Sequence, residues 1–421
     1  MSRSLSYLSW FWLALALPIF TLAQSSSTAD VLQSAWEDER YRAYERELDF
    51  FTDQNSLSIP RLEELEFRTE THEFNPQLQE YALRLQFNSS RQIKVQERIN
   101  QQEYNLLLVR QEAYLEELLF DRYQFLIDTR YQQEQLALLQ SHLPVLNDWE
   151  RVIQTRIQEE GERHYDDWLE LEDDRLKLQQ ERQLLQQQLS AGRKQYTFWT
   201  DRPTDSLTLG TWPGLEQLER NWLNWQNDTL IVPLTVQEQQ LIGNLAELEL
   251  AAEQAEERNR LNFLQLRYRG EDQDRVLREQ VTVGAGITLP FRSANSVKEQ
   301  YLKLEQLEEE NQELERQRKW LEDLQEAEAN MALHLEQCQQ MESALRDYEN
   351  KFGMIALQRR GITRPETYLQ ATMGVLERKA LLLDQEKRLY EAYLDVLLLS
   401  GRLIAKPYRN WLSEQETPLA Q

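Results

Sequence analysis

The sequence LPFRSANSVKEQ at residues 289–300 repeats, in outline, the sequence LQFNSSRQIKVQ at residues 85–96. The two stretches lie 204 residues apart and share the pattern L-x-F-x-S-x-x-x-[I/V]-K-x-Q. Each follows a short segment in which apolar and polar residues alternate, and each opens a long segment with helical periodicity. The chain is therefore built from a repeated unit in which strands precede a long helix.

Alternation of apolar and polar residues predicts one β-hairpin at about residues 62–87 and another at about 261–291. A polar connection with Asn75 and Pro76 divides the first hairpin, and a charged loop at residues 270–274 divides the second. The apolar positions of the four strands are Leu65, Phe67, Thr69 and Thr71; Tyr81, Leu83, Leu85 and Phe87; Leu264, Leu266 and Tyr268; and Val281, Val283, Ala285, Ile287 and Leu289.

The rest of the chain is rich in Leu, Glu, Gln and Arg at helical spacing, which is typical of long helices that pack as coiled coils. The fold class is therefore mainly α with a small β part, arranged as two tandem repeats, residues 24–212 and 213–403, and a tail at 404–421. The predicted helices are 29–52, 89–160, a helix from the turn at Gly161 to about 191, 215–229, 234–260, 294–360, and a helix from the turn at Gly361 to about 400. A Pro- and Gly-rich break at 200–214 separates the halves.

Residues 1–23 have the form of a secretory signal peptide, with Arg3, an apolar stretch and the small-residue site Thr21-Leu22-Ala23. An uncleaved anchor is the alternative, although the apolar run is shorter than the ~20 residues that a spanning helix needs. Because Cys338 is the only cysteine, no intrachain disulfide can form. The formal net charge of −25 argues against nucleic-acid binding, which needs a basic surface.

Four strands are too few to close a barrel, and an open sheet edge cannot face lipid. If the hairpins enter a membrane, several chains must therefore contribute to one barrel, and three chains would supply twelve strands. The alternative is a small soluble sheet that caps a coiled coil. Thr69 and Thr71 favour that alternative for the first hairpin, whereas the Val/Ala/Ile/Leu face of the second hairpin favours the membrane.

The chain resembles the outer membrane efflux protein family, the TolC-like trimeric channel-tunnels. The sequence VTVGAGITLPF at 281–291 is similar to that family's glycine-containing strand before its long helix, and RRGITRPETYL at 359–369 resembles its periplasmic tip turn. Residues 380–403 resemble the family's last helix, and residues 237–257 resemble the helix that leads into the second hairpin. The resemblance implies a homotrimer whose shared barrel continues into a helical tunnel and docks on a periplasmic adaptor and an inner-membrane pump.

Two departures from the family pattern concern the tips and the helices. Family tips carry acidic residues six and nine positions after the turn glycine. Asp167 and Glu170 fill both positions in the first half, whereas Thr367 and Gln370 replace them in the second. The family's Ala-rich helices are here rich in Leu and Gln. The resemblance therefore implies tip turns with an altered acidic aperture.

Gly161 and Gly361 fit helix-ending positions where φ is positive, and residues 363–366 have the form of a capping box. The resemblance adds a role for both glycines in contacting the adaptor. The candidate aperture residues are Asp166, Asp167, Glu170, Arg359, Arg360 and Glu366. We expect Arg359 and Arg360 to pair with the acidic residues and hold the aperture shut; the alternative is that these residues form a solvated face of an acidic protein.

No nucleophile motif or phosphate-binding glycine loop occurs, and the four histidines are too far apart to form a recognisable metal motif. We therefore expect no catalysis, no cofactor and no metal, and packing roles for Tyr408 and Trp411. The sequence predicts a passive exit duct for efflux or type I secretion, located in the outer membrane with a periplasmic helical portion. The alternative is a periplasmic coiled-coil scaffold or adaptor that does not span the membrane.

Overall fold

The computed structural model describes residues 28–53, 60–71, 79–161, 164–202, 207, 209–226, 231–257, 259, 261–269, 281–287, 295–362, 364–414 and 418–419. The predicted signal peptide, Asn75, Pro76, the loop at 270–274, Leu289 and Thr363 lie outside these residues, so the statements about them stay predictions.

The described part of the chain is mainly helical with one small antiparallel sheet, which confirms the predicted fold class. The helices are α1 (Thr28–Gln33), α2 (Glu39–Asp53), α3 (Ser90–Glu160), α4 (Tyr165–Thr200), α5 (Leu215–Gln226), α6 (Leu234–Glu257), α7 (Asn295–Phe352), α8 (Met354–Arg359) and α9 (Pro365–Leu399). The strands are β1 (Leu62–Thr71), β2 (Gln79–Phe87), β3 (Leu261–Arg269) and β4 (Val281–Ile287).

Three predicted helices have different limits in the structure. The first is divided into α1 and α2 by a turn. The second, predicted to end near residue 191, continues through Gly192 to Thr200, because Trp199 packs edge-on against Phe125 of α3 with ring centroids 5.0 Å apart. The third, predicted to run unbroken over 294–360, is interrupted at Gly353, whose backbone is extended.

Helix α3 begins at a capping box that the sequence analysis missed. The Ser89 hydroxyl accepts from the Gln92 backbone N–H at 3.2 Å, and the Gln92 side chain accepts from the Ser89 backbone N–H at 2.7 Å. The predicted capping box at residues 363–366 includes Thr363, which lies outside the described residues, so it stays a prediction; α9 itself begins with Arg364 as its N-cap and no side-chain cap bond. Pro365 opens that helix, where its fixed φ suits the first turn.

The helices nearest the sheet follow the order of the strands. The sheet order is β1-β2-β3-β4, and α2, α3, α6 and α7 are the helices that continue these strands in the same order. Ring centroids of Phe51 on α2 and Tyr104 on α3 lie 6.4 Å apart. Arg110 on α3 pairs with Glu238 on α6 at 2.8 Å. The four helices therefore form one layer that prolongs the sheet.

The main core lies farther along the helices and includes the end of the chain. Tyr408, Trp411, Leu412 and Leu419 are buried in it together with residues of α1, α3, α7 and α9. The Tyr123 hydroxyl donates to the Arg409 carbonyl at 2.9 Å and accepts from the Trp411 backbone N–H at 3.2 Å. The predicted packing roles of Tyr408 and Trp411 are thus confirmed. In the described part of the chain, no helix combines the length and the apolarity needed to cross a membrane.

The core also contains a carboxyl group without a hydrogen-bond partner. Glu116 of α3 is 6% exposed, and its Oε1 has no partner among the described residues. Burial, and to a lesser degree the neighbouring Glu112 carboxylate, raises the pKa of Glu116 to about 7. The neutral form is therefore favoured in the folded chain and the charged form in the unfolded chain.

This raised pKa makes folding pH-dependent. Because the folded state holds the proton longer than the unfolded state, stability falls as pH rises from about 4.5 to about 7. The difference corresponds to about 3 kcal/mol. We expect Glu116→Gln to reduce the dependence of the unfolding temperature on pH between pH 5 and pH 7.5. The same change at its exposed neighbour Glu117 should leave that pH dependence unchanged. If the unfolding temperature depends equally on pH in the native protein and in Glu116→Gln, this expectation is wrong.

Candidate channel surfaces: a two-faced sheet and the helical tips

The pairing register gives the sheet one apolar face. Residues opposite one another across all four strands form rows, and every row on this face is apolar except for one threonine. The rows are Phe67–Leu83–Leu266–Val283, Leu65–Leu85–Leu264–Ala285 and Thr69–Tyr81–Tyr268–Val281. Thr69 therefore lies beside Tyr81 in a row of large side chains and is not the start of a polar face.

Nothing in the described chain covers this face. Phe67 is 62% exposed and Val283 is 74% exposed, and no strand residue belongs to either hydrophobic core. Exposed apolar surface costs roughly 25 cal/mol per Å² relative to burial, and a contiguous patch of this kind marks an interaction surface. The face needs an apolar environment that this chain does not supply, which argues against a soluble sheet that caps its own coiled coil.

The opposite face of the sheet is charged and internally paired. Arg68 Nε lies 2.6 Å from Glu66 Oε1 on β1. Arg267 Nε lies 2.9 Å from Glu80 Oε2 across β3 and β2. The sheet is therefore apolar on one side and polar on the other, as the wall between lipid and water requires.

A strand glycine on the polar face makes room for an aromatic ring. Phe263 lies between Gln86 and Gly286 in the pairing register, and a Cβ placed on Gly286 would overlap the Phe263 ring. The Arg84 guanidinium lies over the same ring, 3.9 Å from its centroid. The glycine thus allows Phe263 to cover the strand and fixes the register of β3 against β4.

Both outer strands of the sheet have an unpaired edge. Among the described residues, β2 and β3 each pair on two sides, whereas β1 pairs only with β2 and β4 only with β3. Unpaired edges present free backbone N–H and C=O groups, which in lipid must be satisfied. The described sheet is open and incomplete as a membrane structure.

The two turns at the other end of the molecule lie at Gly161 and Gly361, where the sequence predicted them. Their φ values are +81° and +72°, which confirms the predicted positive φ at both glycines. The Gly161 N–H donates to the Ile157 carbonyl at 3.0 Å, and the Gly361 N–H donates to the Gln358 carbonyl at 2.9 Å. Each glycine ends one helix and reverses the chain, so the structure has two helical tips.

A cleft of about 750 Å³ lies between the two tips. Asp167 and Glu170 of α4 line it together with Asp174, which the sequence analysis did not single out. Asp167 Oδ2 lies 2.9 Å from His164 Nδ1. Asp166 is exposed on the first turn of α4 and does not line the cleft. Two of the three predicted acidic residues of α4 therefore share one cleft.

Arg156, Arg364 and Arg378 are the basic residues that line this cleft, and Arg359 and Arg360 do not line it. Arg156 Nη2 lies 3.0 Å from Glu366 Oε1, so it joins α3 to the first turn of α9. No ion pair between described residues involves Arg359 or Arg360, and both are exposed. The expected pairing of those two arginines with the described acidic residues is wrong, because Arg359 ends α8, Arg360 follows it, and neither lines the cleft.

A second contact near the tips joins α7 to α9. The Tyr348 hydroxyl occupies the space that a Cβ on Gly374 would need. The Arg378 guanidinium lies over the Tyr348 ring at 3.7 Å and donates to the Gly374 carbonyl at 2.7 Å. Sequence reasoning missed this contact, although a glycine inside a long helical segment is a signal of close packing.

Among the described residues, no cluster of three side chains that could hold a metal ion is present. No family model and no curated protein matches the sequence.

Solved outer membrane channels have similar structures. The open state of the MtrE outer membrane channel of Neisseria gonorrhoeae superposes with a TM-score of 0.64 at 13% identity, over 94% of this chain and 91% of that one. The outer membrane protein VceC of Vibrio cholerae gives 0.64 at 10% identity, over 89% and 96%. The CmeC outer membrane channel of Campylobacter jejuni gives 0.58 at 11% identity, over 93% and 86%. The chain thus has the fold of these channels along nearly its whole length, as the resemblance predicted.

The contact between Phe263 and Gly286 predicts that alanine destabilises the sheet at one glycine of β4 and not at the other. Gly286→Ala places a methyl group inside the Phe263 ring and should destabilise the sheet by about 1–3 kcal/mol. Gly284→Ala is the control, because its Cβ would lie 4.0 Å from the Gln265 side chain, an ordinary contact. Thermal unfolding of both variants in detergent measures the difference. Equal unfolding temperatures would show that Phe263 does not occupy this space.

The ion pair of Arg156 with Glu366 predicts local loosening of one tip. Arg156→Gln should raise amide hydrogen exchange in the first turn of α9 by up to about fivefold, since partly exposed pairs contribute at most about 1 kcal/mol. Arg151→Gln removes an exposed pair of the same helix with Asp148 and should leave α9 unchanged. If amide hydrogen exchange in α9 is identical in the two variants, Arg156 does not stabilise this tip.

Proposed function

We propose that this protein is an outer-membrane channel-tunnel that acts as the passive exit duct of an efflux or type I secretion system. The observation that carries the proposal is the two-faced open sheet. In the part of the chain that the structure describes, its apolar face is uncovered, its other face is charged, and both of its edges are unpaired. A closed barrel in a lipid bilayer satisfies all three conditions at once.

Closure of the barrel requires other copies of the chain. The four strands of one copy supply β1 and β4 as free edges, and β4 of one copy can pair with β1 of the next. Three copies arranged in this way give a twelve-stranded barrel without edges. Three of the four strands suit this role, since β1 has ten residues and β2 and β3 have nine each, against the roughly nine to eleven that a tilted spanning strand needs.

The helices would continue the barrel as a tunnel into the periplasm. The 71 residues of α3 correspond to a length on the order of 105 Å. The tips at Gly161 and Gly361 would form the periplasmic end and meet the adaptor and the pump. The cleft with Asp167, Glu170 and the Arg156–Glu366 pair would form the aperture. The chain itself would catalyse no reaction. Its acidic composition would favour passage of cations.

The similarity to channels supports the outer-membrane location. MtrE and CmeC are described as outer membrane channels, and the work on CusC concerns transmembrane channel formation. The superposition covers 89–94% of the present chain. In a soluble scaffold, the uncovered apolar face would remain exposed to water.

Conductance in planar lipid bilayers tests the proposal. Purified full-length protein should insert and give uniform single-channel steps with preference for K⁺ over Cl⁻, and Arg156→Gln should raise the open fraction relative to Arg151→Gln. Membrane fractions should hold the protein as an oligomer. A monomer found wholly in the soluble periplasmic fraction, without conductance, would contradict the proposal and favour the scaffold.

A further inference from the structure

A small pocket lies between α5 and the end of the chain. Its volume is about 330 Å³, and its lining comes from residues 221–225 and 402–411. Among the described residues that line it, none belongs to a strand or to either helical tip. Asn224 and Arg409 are exposed, so the pocket opens to solvent. A pocket at this lower end of the size range of ligand sites suits a molecule about as large as one sugar.

The lining of this pocket is basic although the chain is acidic. Arg402, Lys406 and Arg409 line it, and no described carboxylate does. The whole chain has a formal net charge of −25, whereas residues 401–413 contain these three basic residues and no acidic one. Lys406 Nζ lies 2.9 Å from Glu112 Oε1, so one of the three charges is offset from outside the pocket. The lining itself is positive, which favours an anionic ligand.

One wall of the pocket is aromatic and is held in place by the main core. Trp225 stacks on Tyr393 of α9 with ring centroids 5.2 Å apart. Trp411 is 7% exposed and meets Trp225 edge-on at 5.6 Å. The Arg402 guanidinium lies 5.5 Å from the centroid of the Trp225 ring. Because the core already orders this wall, a ligand that binds to it has little further ordering cost to overcome.

The polar groups of the lining are mainly hydrogen-bond donors. Guanidinium and ammonium groups donate and do not accept, and the amides of Asn221 and Asn224 add further donors. The Trp411 indole N–H, which can only donate, has no acceptor among the described residues. A ligand with acceptor oxygens is complementary to this lining, and arginine binds a carboxylate through two parallel hydrogen bonds.

The charge and the aromatic wall together favour an acid carried on a ring. Inorganic phosphate would engage the basic side chains but leave the aromatic wall uncovered. A neutral sugar would cover the wall but gain nothing from the positive charge. A ligand site typically combines an apolar wall with a few polar groups that fix the orientation of the ligand. A molecule with both an apolar ring face and a carboxylate uses the whole lining.

We propose that this pocket binds an acidic sugar, a molecule of monosaccharide size with a carboxylate on its ring. The guanidinium groups of Arg402 and Arg409 hold the carboxylate, and the ring packs against Trp225 and Pro407. The same chemistry is present in a free uronic acid and in an acidic sugar that is one unit of a glycan chain. The site lies apart from the sheet and the tips, so it does not depend on the proposed duct.

Titration calorimetry of the full-length protein in detergent with glucuronate tests the site. Arg402→Gln and Arg409→Gln should each weaken binding by about tenfold or more, because each removes a charge-assisted hydrogen bond. Arg220→Gln is the matched control, since Arg220 is exposed on α5 and does not line the pocket. Its affinity should equal that of the native protein. The unfolding temperature of each variant shows whether the chain is still folded.

Three results would overturn the proposal. One is the absence of glucuronate binding to the native protein, and another is unchanged affinity in both folded lining variants. The third concerns the ligand class: glucose, which lacks the carboxylate, and inorganic phosphate, which lacks the ring, should each bind at least about tenfold more weakly than glucuronate. If either of them binds as tightly as glucuronate, the pocket is not a site for acidic sugars.

A glucuronate-containing tetrasaccharide distinguishes the two sources of the acidic sugar. Tighter binding of the tetrasaccharide than of glucuronate would identify a unit within a glycan chain as the ligand. Weaker binding would identify the free sugar, because the pocket would then exclude its chain neighbours. Either result supports the site, provided that Arg409→Gln weakens binding of the tetrasaccharide as it weakens that of glucuronate. Tetrasaccharide binding that is insensitive to Arg409→Gln would contradict the assignment of this pocket to a glycan chain.

Discussion

The structure depends on one small sheet, whose apolar face must be covered and whose edge strands must be hydrogen-bonded. No described residue outside the sheet covers its apolar rows, such as Phe67–Leu83–Leu266–Val283. Within the same described part of the chain, the outer edges of β1 and β4 have no strand partner. Lipid can cover the rows, but only strands can satisfy the edges. A single copy therefore cannot satisfy its own sheet. The proposed channel follows from what would satisfy it, namely lipid on the apolar face and strands of other copies at the edges.

The long helices depend on the same sheet. Since α2, α3, α6 and α7 continue the four strands in order, a closed ring of strands imposes a closed ring of helices. Their contacts include polar pairs, such as Arg110 with Glu238 and Gln254 with Glu299. Packing of this kind suits a wall with water on at least one side. The larger apolar core lies where the end of the chain returns to α3 and α9, and a smaller one lies near the tips.

The sequence was sufficient for the features that depend on local periodicity. Alternation located all four strands, and positive φ at Gly161 and Gly361 followed from glycine in charged turns. Features that depend on distant contacts were not accessible. Thr69 looked polar until its row partners were known. Arg156 is one of many arginines on helices, and only the packing of α3 against α9 brings it to Glu366. The sequence-based assignment of Arg359 failed for the same reason.

The central claim is that one face of the sheet contacts lipid and the other contacts water. It is tested most directly by placing an environment-sensitive fluorophore at two adjacent positions of β4, using Val283→Cys and Thr282→Cys in the Cys338→Ala background. In proteoliposomes the label at 283 should emit at shorter wavelength and be quenched by brominated lipid, whereas the label at 282 should be quenched by iodide in water. Equal quenching of both labels by iodide, with none by brominated lipid, would contradict the account.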